Sequence, residues 1–284
     1  MKVQNQTSEI FLTAKDYLVT QKEFDLCWNP QKDMLVTSPI PSQEELGKYY
    51  KSDAYISHTD ASKTLVDKLY QTVKKRSLNR KLSLVTKYAK GKNTLLDIGA
   101  GTGDFLQLAK SKGWSISGIE TNADAVARAA SKQIELLSNS EELGNNIFSV
   151  ITLWHVLEHL PNPEARIAEY FDLLEKDGVL IIAVPNFKSW DAKHYKNIWA
   201  AYDVPRHLYH FSKESLHRLA GEKYKMEAIK PMYFDSFYVS LLSERYKNSW
   251  SPLINGFING LRSNLAGMRS KEYSSQIYVL RKLK

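Results

Sequence analysis

The chain has 284 residues, 43% of them apolar, with a mean hydropathy of -0.39, enough for one large domain or a core domain with an appendage. No apolar run approaches the ~20 residues of a membrane span, and the N-terminus Met-Lys-Val-Gln-Asn-Gln-Thr-Ser-Glu has no apolar signal core. One cysteine, Cys27, excludes an internal disulfide framework, so the expected compartment is the cytoplasm. The formal net charge of +8 is unevenly spread. Residues 61–92 hold ten Lys/Arg against Asp67 alone, and residues 240–284 hold eight against Glu244 and Glu272. Such stretches attract nucleic acid, anionic lipid or acidic small molecules, although a solvated helix face is the plainer reading.

Residues 1–60 read as a small β-rich unit. The β-favouring pieces Ile10–Leu12, Tyr17–Thr20, Phe24–Cys27 and Met34–Val36 are broken by Pro30, Pro39 and Pro41. Ser42-Gln43-Glu44-Glu45 then marks a helix start, and Tyr49, Tyr50 and Tyr55 close the unit as core or hinge aromatics. From Ala61 to Ala89, Leu65, Leu69, Val73, Leu78, Leu82, Val85 and Tyr88 recur at helical spacing. This predicts a long amphipathic helix, ended by Gly91, within a basic segment 61–92.

From Thr94 apolar strands alternate with helices. Strand 94–98 precedes a helix from about 104 to Gly113, strand 115–119 a helix to about Lys132, and a short strand near Ile134–Leu137 leads to a polar turn, Ser138–Glu142. Strand 148–153, a helix from about Pro163 to Lys176 and strand 179–184 follow. Tyr233–Tyr238 and Gln276–Leu280 read as two further strands. Between them lies a helical stretch with Trp250, Leu253, Phe257 and Leu261, read as packing or as a substrate lid. The alternation predicts a parallel sheet covered on both faces, whose ligands sit beyond the carboxyl ends of the strands.

The strand at 94–98 ends in Asp97, with Gly99, Gly101 and Gly103 at alternate positions before the helix that Asp104 opens. Glycine at 99 and 101 lets the backbone approach a ligand and take positive φ, and the helix start presents unpaired N–H groups. The dinucleotide fingerprint G-x-G-x-x-G would need glycine where Asp104 stands, and the phosphate-gripping G-K-[ST] ending is absent. Asp97 and Asp104 would repel a pyrophosphate, whereas an acid suits a ligand carrying an ammonium group. Glu120, ending the second strand, can accept two hydrogen bonds from a ribose diol. That supports an adenosine ligand, and the glycine spacing decides which kind. The D-x-G-x-G-x-G string resembles the first motif of class I S-adenosylmethionine-dependent methyltransferases.

The resemblance implies an α/β fold: a Rossmann-like, seven-stranded, mostly parallel sheet with an antiparallel last strand and helices on both faces. It divides the chain into the appendage 1–60, the basic segment 61–92 and a methyltransferase domain 93–284 with a substrate-side insertion at about 187–275. It implies S-adenosylmethionine as cofactor and S-adenosylhomocysteine as product, with Asp97, Gly99, Ala100, Gly101, Glu120 and Thr121 around the ligand. An acidic residue usually follows the third strand and contacts the adenine amino group. Asn139 stands there instead; its side-chain oxygen can accept that bond, and the Ser140 backbone N–H can serve a ring nitrogen.

His155-Val156-Leu157-Glu158-His159 matches the zinc-protease pattern H-x-x-E-H, but it leaves a strand directly into a short turn before Pro161 and Pro163. The stretch Val150–Pro163 instead resembles the fourth-strand motif of quinone-type O-methyltransferases, which puts Trp154 and His155 beside the methionine part of the cofactor and His159 on the substrate side. Some related RNA 2′-O-methyltransferases bind a metal through a Glu/His cluster here. The string Asp203-Val-Pro-Arg-His-Leu-Tyr-His-Phe-Ser212 recurs in a bacterial methyltransferase family whose N-terminal region holds zinc on two C-x-x-C pairs. Here Pro30 stands where Cys27 would need its partner, so residues 1–60 are a degenerate zinc-ribbon-like unit and no metal is expected.

His159, His207 and His210 are the candidate bases, since an unperturbed histidine titrates near ~6.5; one of the loop pair is expected to be structural. Arg206 is expected to pair with Asp203 or with a substrate anion. The resemblance points to O-methyl transfer to a small aromatic or lipid-like hydroxyl acceptor. Two alternatives stand beside it. One is an RNA methyltransferase or RNA-binding module using 61–92, which lacks an ordered aromatic pattern for base stacking. The other is a non-catalytic S-adenosylmethionine-binding protein.

Overall fold

The computed structural model describes residues 9–50 and 65–283; Tyr55 and the start of the basic segment at 61–64 lie outside the described residues. In chain order, strands β1 (Ile10–Lys15), β2 (Glu23–Trp28) and β3 (Leu35–Ser38) precede helix α1 (Gln43–Tyr49). Ser42 and Glu45 form the expected reciprocal cap of α1. The basic segment is helix α2 (Leu65–Ala89). Then follow β4 (Thr94–Ile98), α3 (Asp104–Ser111), β5 (Ser115–Ile119), α4 (Ala123–Ser131), β6 (Phe148–Trp154), α5 (Pro163–Asp172) and β7 (Leu174–Pro185). The chain continues through α6 (Trp190–Tyr195), the two-residue β8 (Tyr209–His210), α7 (Lys213–Ala220), β9 (Tyr224–Pro231), α8 (Asp235–Tyr246), α9 (Pro252–Ser270) and β10 (Ser275–Lys282).

The central sheet has the order β5-β4-β6-β7-β10-β9. The β4–β5, β4–β6 and β6–β7 pairs are parallel, and β10 runs antiparallel to both neighbours. Alternate residues of each strand enter opposite layers: Leu96, Ile151 and Ile182 belong to one buried cluster, Leu95, Val150 and Ile181 to the other. Each such side chain, fully buried, contributes about 1.5–3 kcal/mol. Both faces are therefore covered, and the strand ends on the Asp97 side are left for ligands. Among the described residues no helix is long and apolar enough to cross a membrane.

Three expectations about strands need correction. The sheet has six strands, not seven, because Ile134–Leu137 reduces to one bridge: Leu137 donates to the Gly118 carbonyl at 2.9 Å and accepts from the Glu120 N–H at 2.9 Å. The Ile134 N–H instead bonds back to Ala129 at the end of α4, and the polar turn begins at Ser138, so no length is left for a strand. The partner of β10 is β9, and Tyr233–Tyr238 opens helix α8 instead. Its aromatics favour strands locally, but Pro231 ends the strand before them and β9 already occupies the edge of β10. Tyr17–Thr20, likewise read as β-favouring, is a turn wrapped around the Asp16 carboxylate, which accepts from the N–H groups of Leu18, Val19 and Thr20.

The N-terminal sheet has the order β1-β2-β3-β8. Its fourth strand comes from the histidine loop: Leu35 pairs with His210 and Val36 with Tyr209. Beneath it Leu26, Leu35, Phe187, Tyr195, Trp199, Tyr202 and Val239 form a third core, joining the first 50 residues to the segment after β7. Cys27 is buried on β2 and free.

Candidate functional site

The glycine turn after β4 has the geometry its sequence required. Gly99, Gly101 and Gly103 take φ of 66°, 54° and 73°. A methyl group on Gly99 would lie 2.5 Å from Val156 Cγ2, so the turn packs against the segment after β6. One on Gly101 would meet nothing within 4 Å; it would project into the open space at the strand ends. Glu120 reaches across to this turn. Its Oε2 accepts from the Gly101 N–H at 2.9 Å, and its Oε1 from the N–H groups of Thr121 and Asn122. The carboxylate is thus fixed at the rim, with lone pairs to spare for hydroxyls. Asn139 is differently placed: it is exposed, and both ends of its amide are tied to Glu142 in the turn that also holds Ser140.

Asp97 closes the floor of the crevice. It is 3% exposed and accepts a 2.6 Å hydrogen bond from Thr152 Oγ1. Burial pushes its carboxyl up to about 7, against the pull of Thr152 and Lys81. A cationic group arriving here would favour the ionised form. Affinity for an ammonium-bearing ligand should therefore rise with pH through about 7, since only the ionised fraction offers the charge. Between pH 6 and 7.5 the dissociation constant should improve roughly tenfold, and Asp97→Asn should flatten that dependence. Calorimetry across this range checks it; a flat wild-type profile would remove Asp97 from the ligand's contacts. Asp104, the other acid of the turn, is neutralised by Lys74 at 2.9 Å and Lys132 at 2.7 Å.

Beyond Asp97, the residues after β6 lead on to the histidines. The Lys81 Nζ of helix α2 lies 4.6 Å from the Trp154 ring centre, buried in the field of Asp97 and Asp235. Trp154 packs edge-on against Phe105, and His155 follows it at φ 59°. His155 Nε2 is 2.9 Å from Asp235 and its Nδ1 is 3.4 Å from Glu158. Burial opposes its charge, but Asp235 and Glu158 outweigh burial and push its pKa up to about 10. Glu158 is 1% exposed, and its carboxylate has no close donor among the described residues. Burial would neutralise it; the protonated His155 imidazole beside it holds it ionised instead.

His159 and His207 meet edge to face with ring centres 4.6 Å apart, and ligand atoms of Glu158, His159 and His207 lie within 4.8 Å of one another. A carbonyl only accepts, so the 3.0 Å contact of His159 Nδ1 with the Arg206 carbonyl places a proton on Nδ1, and in the neutral ring the lone pair is then on Nε2. The Tyr50 hydroxyl lies 3.0 Å from the same Nδ1. His207 is similarly fixed by Nδ1 donation to Ala201 at 2.9 Å, and burial with the neighbouring His159 pushes its pKa down to about 4. His210 points elsewhere. Its Nε2 is 3.1 Å from Thr37 Oγ1 in the N-terminal sheet, and burial holds it well below its ordinary value.

Arg206, fully buried, bonds Asp203 through Nε and Nη2, Asp16 at 3.2 Å and the Tyr49 carbonyl at 3.2 Å. Its pairing with Asp203 is the first of the two expected, and four of its five N–H donors are engaged within the chain. The loop is further held by the Leu208 N–H on the Glu158 carbonyl and the Thr37 N–H on the Leu208 carbonyl. Sequence reading missed Lys81, Asp235 and Asp16, and noted Glu158 only within the H-x-x-E-H pattern. Lys81 is hidden among the other cations of α2, and Asp235 lies in a stretch read as strand. A lysine one helical turn from the apolar Leu78 and Val85 positions was the only signal for the first. A cavity of about 500 Å³ lined by Phe11, Phe187, Lys193 and Tyr202 shares none of these residues.

Residues 70–224 match a family model described as a methyltransferase domain. The ubiquinone biosynthesis O-methyltransferase of Glaesserella parasuis serovar 5 (strain SH0165) is 33% identical over 106 residues, 32% of this chain and 45% of its own length. The chain thus matches less than half the length of that curated relative. In structure the chain is similar to magnesium protoporphyrin IX methyltransferase from Synechocystis PCC 6803 with bound SAH, at a TM-score of 0.56 and 13% identity, over 85% of this chain and 100% of that one. A SAM-dependent methyltransferase from Archaeoglobus fulgidus aligns with a TM-score of 0.50 and 18% identity, over 73% of this chain and 94% of that one. The likeness to the two solved structures is one of fold.

Proposed function

The chain belongs to the methyltransferase-domain family, and on that premise we propose that it transfers a methyl group from S-adenosylmethionine to a small acceptor, an aromatic or lipid-like hydroxyl compound. The observation that supports this reading is the convergence of the Asp97–Gly101 turn at the end of β4, Glu120 after β5 and the His155–His159 segment after β6 at the carboxyl ends of neighbouring parallel strands. At one end an acid and an open glycine turn suit a cationic adenosine ligand. At the other, the His159 imidazole is held through Nδ1.

Bound S-adenosylmethionine supplies an electrophilic methyl group on a positively charged sulfur. The residues of the chain have to align the acceptor with it and receive the hydroxyl proton. Alignment alone can supply roughly 7–11 kcal/mol. Proton removal falls to His159, whose Nδ1 contact orients the ring with Nε2 free. His207 is deprotonated at neutral pH but, with its low pKa, is the weaker base. Asp97, the glycine turn and Glu120 hold the methyl donor.

The RNA alternative loses support from the same geometry. Lys81 is turned into the crevice, Lys74 pairs with Asp104, and Lys92 pairs with Glu175. Three cations of the 61–92 stretch are thereby engaged within the chain.

Calorimetry with S-adenosylmethionine, S-adenosylhomocysteine and NAD, followed by transfer of a labelled methyl group to catechol, amine and carboxylate acceptors, tests the proposal. Binding of the first two ligands without NAD, and label on the phenolic oxygen, is expected. Tighter binding of NAD would overturn the cofactor. Intact donor affinity with no turnover on any acceptor would favour a non-catalytic binding protein.

A further inference from the structure

Helix α9 is built inside out. Its inward arc is Gly256, Asn259, Gly260, Ser263 and Gly267, all buried. A methyl group on Gly256 or Gly260 would come within 2.7 Å of the Leu241 or Phe237 backbone on α8. Glycine here lets the two helices meet backbone to backbone, and no large side chain points inward. The outward arc carries Leu253, Ile254, Phe257, Leu261, Leu265 and Met268, between 44 and 70% exposed, and Trp250 just before the helix is 88% exposed. A surface helix of a water-soluble domain ordinarily turns its large apolar stripe to the core. This one turns it to solvent, as one contiguous patch of the kind that marks an interaction surface.

The charges around the patch select its partner. Residues 245–271 contain no acid, and their basic side chains, Arg245, Lys247, Arg262, Arg269 and Lys271, are all exposed. Arg262 and Arg269 stand four residues beyond Ile258 and Leu265, so on a helix they border the apolar arc. A second copy of the chain would bring the same positive rim against itself. An anionic bilayer matches both the apolar arc and the rim. We propose that α9 with Trp250 is a docking surface for an anionic phospholipid bilayer, lying in the interface plane with the indole at headgroup depth. The surface rests on packing and charge alone and stands apart from the proposed chemistry.

The test is co-sedimentation of the full chain with vesicles of phosphatidylglycerol and phosphatidylcholine in equal parts, against phosphatidylcholine alone. Binding to the anionic vesicles is expected. Phe257→Ser with Leu261→Ser, and separately Arg262→Glu with Arg269→Glu, should each lower the partition coefficient at least tenfold. All four side chains are exposed, so circular dichroism should be unchanged, and melting, which includes the loss of the Phe257 stack on Phe237, should show each variant folded at the assay temperature. A wild-type chain that stays in the supernatant, or variants that partition as well as it does, would overturn the proposal. So would a concentration-dependent dimer that Phe257→Ser with Leu261→Ser dissolves, because the face would then belong to a second copy.

Discussion

His159→Ala is expected to keep the affinity for S-adenosylmethionine and to lower turnover on a hydroxyl acceptor by roughly 10²–10⁴-fold, the range for a positioned general base. The side chain is half-buried, and its Nδ1 is held by the Arg206 carbonyl, so the ring needs no reorganisation before Nε2 takes a proton. The loss should shrink at high pH, where the acceptor ionises unaided. His210→Ala, by contrast, should act only on stability, since its imidazole is committed to Thr37. Elemental analysis of the purified wild-type chain is the necessary control. Glu158 already has a cationic neighbour in His155, so no stoichiometric metal is expected. One divalent ion per chain, lost in His159→Ala, would make His159 a ligand instead of a base. Undiminished turnover in the variant would leave the acceptor to ionise without help from this cluster.

Arg206→Met should cost about 3–5 kcal/mol of stability, the range for removing one partner of a buried ion pair. The guanidinium is 1% exposed and Asp16 is fully buried, so the variant would leave Asp16 with its Leu18–Thr20 donors but without a counter-charge where water cannot reach. Asp203 would lose its main partner as well; burial raises its pKa, and Arg206 is what holds it below the usual carboxylate range. Methionine fills most of the same volume, so packing should account for little of the loss. Urea unfolding with the slope held constant measures the effect. A loss under about 1 kcal/mol would mean that both acids find solvent or protonate cheaply, and that the pair does not hold the loop.

What was legible in the sequence was whatever depends on neighbours along the chain. The Asp97–Asp104 turn, the capping box at Ser42 and the apolar strands of the sheet follow from spacing, and each stands where its spacing required. The missing seventh strand and the mistaken hairpin partner fail for a common reason. Ile134–Leu137 and Tyr233–Tyr238 both favour extended chain locally, but pairing depends on a free edge that only the assembled sheet defines. The site shows the same division. Glu120 and His159 are readable from strand ends, whereas Lys81, Asp235 and Asp16 reach their partners from 16 to 190 residues away. Arg206 was legible as half of a pair; that Asp16 is its other partner was not.

The two-residue strand β8 makes the N-terminal sheet and the histidine loop a single cooperative object, although the family match begins only at residue 70. Cutting the chain near residue 50 would leave a methyltransferase core that is intact by sequence comparison. It would also remove the backbone partners of Tyr209 and His210, the carboxylate that Arg206 faces and the hydroxyl beside His159. The appendage is a template against which the loop is cast. The N-terminal sheet and the core should therefore melt in one transition rather than two. Change in residues 9–50 would then reach the histidine loop without altering any residue of the glycine turn.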